Sequence, residues 1–213
     1  MSIVTDVLSA PGKSGLVEVI VDGLSIGAIA EHDVARLGLR RGGAIEESQV
    51  AELRVLAAHA DALRRAQRFL MHRPRTTQEV RRRLVQAGIA VEVIDAVIET
   101  LTSQGLLDDK QFAALWVENR TALRPRSTRM LQQELRQKGI DRDTIDDTIE
   151  TTLDDDEGAR AMAAGRGRLH RLRNDDRQSF DRSMGGFLSR RGFSYDVIRT
   201  ALEQLWSEHT GEI

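Results

Sequence analysis

No cysteine occurs among the 213 residues. Disulfides, thiolate metal sites and a cysteine nucleophile are therefore excluded, and the absence agrees with a reducing compartment. Aromatic residues make up only 4% of the chain, so the 40% that is hydrophobic must build aliphatic cores. Lysine is nearly missing too, since 28 of the 31 basic residues are arginine. No apolar run approaches the roughly 20 residues that span a bilayer. The opening MSIVTDVLSAPGKSG has no basic region leading into an apolar core, so no secretory signal is expected. A soluble, cytoplasmic protein without membrane contact is the expectation.

Catalytic and metal-binding patterns are also missing. The histidines His32, His59, His72, His170 and His209 are scattered without ligand spacing, which argues against zinc. His72, among arginines, is placed to cap a helix or help hold an anion. Gly165, Arg166, Gly167 and Arg168 resemble a phosphate loop only superficially: a preceding strand, a third glycine and a Lys-Ser/Thr ending are lacking. They read as a poor helix segment or a helix break. Asp154 to Glu157 lacks the alternating ligands of a calcium loop and reads as a solvated acidic linker. Asp108 and Asp109 are placed to cap the helix that opens at Gln111. There is no G-x-S-x-G and no Ser/His/Asp ordering. The expectation is a non-enzyme with no cofactor, no metal and no small-molecule substrate.

What the chain does contain is a repeat. Thr76 with Glu79 marks a helix start, Val80 and Leu84 share one face, and Gly88 can end the helix in a left-handed conformation. Ile94, Val97, Ile98 and Leu101 form the stripe of a following helix. Val80, Leu84, Gly88, Ile89, Ile94 and Ile98 recur as Leu131, Leu135, Gly139, Ile140, Ile145 and Ile149. They recur again as Met184, Leu188, Gly192, Phe193, Ile198 and Leu202. The glycines stand 51 and then 53 residues apart, the period of a helical array. Pro74 and Pro125 cut the first helix of a module from the second, because proline cannot continue a helix. The third copy lacks that proline and carries Gly185 and Gly186 within a helix. It should therefore be the least stable module, or hold its backbone very close to a neighbour.

Helices are predicted over 60–72, 76–87 and 91–103, over 109–122, 127–138 and 142–153, and over 158–173, 181–191 and 195–208. Upstream, GLVEVIV and LSIGAIA flank Asp22-Gly23 as a β-hairpin. A short helix over 32–37 follows, and then a helical run from Glu46 or Ser48 to Met71 with a break near 58–61. The expected organisation is a disordered tail over 1–14, a hairpin and helix region over 15–58, and repeats over 59–107, 108–157 and 158–213. The fold class is mainly α: three tandem three-helix repeats in an elongated curved array behind a small N-terminal β-hairpin and helix.

A net charge of −2 conceals alternating blocks. Residues 63–88 carry 8 basic side chains against 1 acidic, and 89–118 carry 1 against 6. Residues 119–142 then carry 7 against 2, and 143–157 none against 8. A GC-rich genome accounts for arginine in place of lysine, but not for a sign that changes with the module. The candidate binding residues are Arg73, Arg75, Arg82 and Arg83 in the first module. Arg124, Arg126, Arg129, Arg136 and Lys138 follow in the second, and Arg190 and Arg191 in the third. If modules stack alike, these make one basic flank for phosphates or an acidic groove; the alternative is an ordinary solvated face.

The runs ALRRAQRFLMHRPRTTQEVRRRL, GLLDDKQFA and RPRSTRMLQQELRQKGI, with the threefold repeat, resemble the RecX family of bacterial regulatory proteins from about Ala62 to Trp206. The Gly185-Gly186 pair and the arginine-rich opening of the third module depart from it. The resemblance implies a protein that binds the RecA recombinase filament on single-stranded DNA; a monomer with weak contact to single- or double-stranded DNA is expected. It further implies suppression of strand exchange, ATP hydrolysis and co-protease activity. Two other readings stay open: a DNA-binding helix-turn-helix regulator, and a protein-interaction solenoid without nucleic-acid contact. Against the first, the helix from Glu92 to Glu99 is acidic where a recognition helix is basic.

Overall fold

The structure, a computed structural model, describes residues 1–10, 12, 15–153, 156–170, 172 and 176–211. The chain divides into two compact units, Met1–Leu107 and Asp108–Ile213.

In the first unit, β2 (Leu16–Val21) and β3 (Leu24–Ala30) form the expected hairpin. Its turn holds Asp22 at φ 51° and Gly23 at φ 78°, the left-handed pair that suits the twist of a tight hairpin. The expected loose tail over 1–14 is instead strand β1 (Ser2–Ser9), antiparallel to β2; residues 11, 13 and 14 lie outside the described residues. The two-residue strand β4 (Ala44–Ile45) completes a sheet of order β3-β2-β1-β4. Within β1 only Val4 is fully buried, so its sequence shows little alternation. Its placement comes from partners: the Ile3 N–H donates to the Asp22 carboxylate at 2.8 Å, and the Gly23 N–H to Thr5 Oγ1 at 2.9 Å.

After α1 (Glu31–Arg36), helix α2 (Glu47–Leu70) runs unbroken for 24 residues. The expected break near 58–61 does not occur; what changes there is the buried face. Val50, Leu53 and Ala57 pack on the sheet, while Ala62 and Ala66 enter the next core. At 3.6 residues per turn, Ala62 lies about 140° around the helix from Ala57. Gly27, at φ 126°, lets β3 touch this helix, since a Cβ there would lie 2.8 Å from the Ala57 Cβ.

The end of α2 with α3 (Thr77–Gln86) and α4 (Val91–Ser103) makes the first three-helix bundle. Its core holds Val80, Leu84, Ile94, Val97, Leu101 and Leu107. Thr76 accepts the Glu79 N–H at the start of α3. At its end Gly88 donates to the Val85 carbonyl and Ile89 to that of Leu84, the paired closure that a left-handed glycine permits.

The second unit contains two bundles with separate cores. α5 (Asp109–Leu123), α6 (Thr128–Gln137) and α7 (Arg142–Thr152) enclose Phe112, Val117, Leu131, Leu135, Ile140 and Ile145. As read from the sequence, Asp108 caps α5 by accepting from the Gln111 N–H at 2.9 Å. α8 (Glu157–Leu169), α9 (Arg177–Ser189) and α10 (Tyr195–Thr210) enclose Phe180, Met184, Leu188, Ala201 and Leu205. Residues 154 and 155 of the expected acidic linker lie outside the described residues, and Asp156 caps α8. Gly165 is no helix break: it lies within α8, where a Cβ would meet Leu205 Cδ1 at 2.3 Å. Gly185 is the opposite case, since a Cβ there would sit 3.7 Å from Leu202, an ordinary contact. The close approach expected of the glycine pair thus belongs to Gly165.

Candidate functional site

The basic residues divide into those already engaged by the fold and those left facing solvent. In the first unit, Arg73 forks onto the buried Glu79 carboxylate, with both terminal nitrogens at 3.2 Å. Arg75 lies over the Phe69 ring, 3.9 Å from its centre. Its Nε is buried without a partner among the described residues, and burial, followed by the charge of Arg73, lowers its pKa. Arg81 reaches Asp95 of α4 at 2.6 Å. Arg82 and Arg83 are exposed and have no ion-pair partner among the described residues. Arg83 also borders a cleft of about 390 Å³ with Arg65, Arg68, Phe69 and His72, its apolar wall completed by Leu84 and Ala87. Sequence reasoning missed Arg65 and Arg68, which lie on α2, a helix read for its apolar stripe.

In the second unit the organising group is Glu134. Its carboxylate accepts from Trp116 Nε1 and Arg120 Nε, each at 2.8 Å, and pairs with Arg126. Arg120 and Lys138 both lie over the Trp116 ring, at 4.3 and 5.1 Å from its centre. That ring stacks in turn on Phe112, with centres 5.9 Å apart. Arg126 and Lys138 are therefore tied into the second bundle. Arg124, Arg129 and Arg136 are exposed without ion pairs among the described residues. Arg129 and Arg136 are seven residues apart on α6 and so share a face.

Following α9, Arg190 is exposed while Arg191 turns inward. Arg191 donates to the Pro125 carbonyl at 2.9 Å and lies 4.4 Å from the centre of the Phe187 ring. Burial first, and then the charges of Arg126, Arg124 and Arg168, lower its pKa. The third bundle thus brings Arg191 and Arg168 to the arginines that flank Pro125. Sequence reasoning missed Arg168, because the spacing of Gly165 to Arg168 shows a poor helix segment and not the ring that one of its side chains covers.

The repeat does not place all of these arginines at matching positions. Under the 51-residue shift, Arg73 and Arg75 fall on Arg124 and Arg126, but Arg82 falls on Gln133 and Arg83 on Glu134. Each module therefore assembles its own basic surface. Among the described residues no group of three or more metal-ligating side chains gathers, and no helix is long and apolar enough to cross a membrane.

Comparison with known proteins follows the same division into bundles. The pattern described as the first three-helix domain of RecX matches residues 62–101. That of the second matches 108–149, and that of the third 154–202. A regulatory protein RecX of Mycobacterium sp. (strain JLS) is 38% identical over 163 residues, covering 73% of this chain and 83% of the relative. One from Corynebacterium efficiens is 35% identical over 154 residues, covering 68% and 73%. A crystal structure of a regulatory protein RecX superposes with a TM-score of 0.74 at 22% identity, covering 95% of this chain and all of that one. RecX from Lactobacillus salivarius gives 0.59 at 23% identity, covering 70% and 96%. Three consecutive domain patterns spanning more than half of the residues, with a relative of the same name at 38% identity, show that the chain belongs to the RecX family of regulatory proteins.

Proposed function

We propose that the chain is a non-enzymatic negative regulator of the RecA recombinase. It binds the groove of the RecA filament on single-stranded DNA and suppresses strand exchange, ATP hydrolysis and co-protease activity. It acts as a cytoplasmic monomer and makes weak contact with DNA. One observation carries this reading: Arg82, Arg83, Arg129 and Arg136 stand on α3 and α6, exposed and without ion-pair partners among the described residues. Guanidinium groups left free in this way suit the carboxylates of a protein groove or the phosphates of a bound strand. Arg73 and Arg75 add to the basic residues of the first unit, and Arg124, Arg126, Lys138, Arg190 and Arg191 to those of the second. The helix-turn-helix reading is less well supported, because α4 turns Glu92, Asp95 and Glu99 to solvent where a recognition helix presents donors.

The test is purified protein added to RecA-coated single-stranded DNA, with ATPase and strand exchange as readouts. Inhibition by the unaltered chain and its loss in an Arg82→Glu, Arg83→Glu, Arg129→Glu variant of normal helicity are expected. Undiminished inhibition by that variant would remove these positions from the interface, and no inhibition by the unaltered chain would overturn the function itself.

A further inference from the structure

Four guanidinium groups crowd one corner of the second unit, where the segment before α6 meets the turn after α9. Arg124 and Arg126 flank Pro125, Arg168 comes from the last turn of α8, and Arg191 follows α9. Arg168 and Arg191 lie over the same ring, Phe187, at 4.9 and 4.4 Å from its centre. The three other arginines are close enough for their charges to disfavour the protonated form of Arg191.

Compensation inside the protein is incomplete. Glu134 pairs with Arg126, but it also serves Arg120 and Trp116. Among the described residues no carboxylate pairs with Arg124, Arg168 or Arg191. The Nε–H groups of Arg126 and Arg168 are buried and have no hydrogen-bond partner among the described residues. A buried donor left unpaired costs free energy that a bound acceptor returns, and like charges held together oppose folding until an anion joins them. Packing on Phe187 accounts for the stacking of two guanidinium groups. It does not account for the orphaned donors or for the exposed Arg124 beside them.

We propose that this corner is a phosphate-binding site, in which Arg124, Arg126, Arg168 and Arg191 converge on one tetrahedral oxyanion. A phosphate group offers several acceptor oxygens to planar donor forks, the pairing in which arginine is strongest. Two of the four arginines belong to the second bundle and two to the third. A bound phosphate therefore acts as a clasp between them, reinforcing the Ser127 to Arg191 and Arg191 to Pro125 hydrogen bonds. The third bundle supplies half of this site, with Arg168 contributed from a motif that is not itself a phosphate loop. The site shares Arg124, Arg126 and Arg191 with the basic residues of the proposed function but is tested without a recombinase, so its failure and the failure of that reading are distinguishable.

The experiment is isothermal titration of the full chain with inorganic phosphate, with potassium chloride at matched ionic strength as the control. A second titration uses a short single-stranded oligonucleotide. Both are repeated on Arg124→Gln and on the Arg124→Gln, Arg168→Gln variant, with circular dichroism confirming the fold. Arg191 is left intact because it also holds Pro125. Saturable phosphate binding, weakened at least about tenfold in the double variant, supports a site for free phosphate; losing two charge-assisted contacts gives at least that factor. Oligonucleotide binding weakened by the same substitutions, with a steeper salt dependence, supports the same site with the phosphate supplied by a nucleic-acid backbone. The proposal is overturned if phosphate binds no better than chloride while oligonucleotide binding ignores the substitutions. It is equally overturned if the double variant, or Arg124→Gln where the double variant fails to fold, binds both probes as the unaltered chain does.

Discussion

The backbone N–H of Ser127 donates to the carbonyl oxygen of Arg191 at 3.1 Å, which ties the N-cap of α6 to the turn after α9. Gly192 makes this approach possible. A Cβ there would lie 2.5 Å from Ser127 Oγ and 2.9 Å from Met130 Cβ, and its φ is +89°. Gly88 has the same left-handed conformation, at φ +75°, with open space around it. Gly88→Ala should therefore cost only the left-handed penalty, about 1–2 kcal/mol. Gly192→Ala should cost more and loosen the third bundle from the second. Denaturant unfolding measures the first difference, and amide exchange at Ser127 reads the second; equal costs at the two glycines would refute the close-approach argument.

Two helical glycines of the third bundle should respond in opposite directions. At Gly185 an added methyl meets Leu202 Cδ1 at 3.7 Å and Ile198 Cγ2 at 3.9 Å, both comfortable contacts. Gly185→Ala should stabilise by about 1 kcal/mol, the helix-propensity difference. At Gly165 the same methyl would sit 2.3 Å from Leu205 Cδ1 and 3.2 Å from its Cγ, and Leu205 is fully buried. Gly165→Ala should destabilise by roughly 1–3 kcal/mol, as overpacking does. Thermal unfolding of both variants checks the pair, and a stabilising Gly165→Ala would contradict the packing of α8 on α10.

The bundles were legible in the sequence because their determinants are local: apolar spacing within a helix, a capping side chain at one end and a glycine at the other. Val80, Leu131 and Met184 are all fully buried, as are Leu84, Leu135 and Leu188. What could not be read depends on pairing across distance. Strand β1 buries too little of itself to show a period, and α2 hides its continuity by changing its buried face between Ala57 and Ala62. The basic surface was only half legible for a related reason. Spacing gives a residue's place on its helix but not its partner, so Arg73 and Arg82 read alike although one is held by Glu79 and the other has no ion-pair partner among the described residues. Arg168 and Arg191 are 23 residues apart and lie over the same Phe187 ring.

Acid should weaken the second unit through its helix caps. Asp141 accepts from the Thr144 hydroxyl and N–H, and Asp176 from the Ser179 N–H and hydroxyl; these bonds hold both carboxyls below the usual range. A carboxyl with a depressed pKa in the folded state contributes stability in full above its unfolded value, near pH 4. That contribution is lost as pH falls through the folded value. Stability followed downward from about pH 5 should therefore decline, and Asp176→Asn should flatten part of the decline, because asparagine caps a helix without titrating. An unchanged pH profile in that variant would show that the cap has no part in acid sensitivity.

The last prediction separates arginines that hold the fold from those proposed to meet a partner. The Glu134 side chain is 11% exposed and binds Arg120, Arg126 and Trp116 together. Removing it leaves two guanidinium groups and an indole N–H unpaired at once, so Glu134→Ala should cost roughly 3 kcal/mol. Replacing Arg82 and Arg83 by glutamine removes no ion pair among the described residues and should change stability by less than about 0.5 kcal/mol, the usual range for solvated positions. If these arginines face the recombinase filament, the second variant should lose inhibition of ATP hydrolysis while unfolding like the unaltered chain. The first should lose stability and retain inhibition at temperatures where it stays folded. Unfolding curves and ATPase inhibition measured on the same two preparations decide the matter: a Glu134→Ala chain as stable as the original, or an Arg82→Gln, Arg83→Gln chain that unfolds early, would contradict the division.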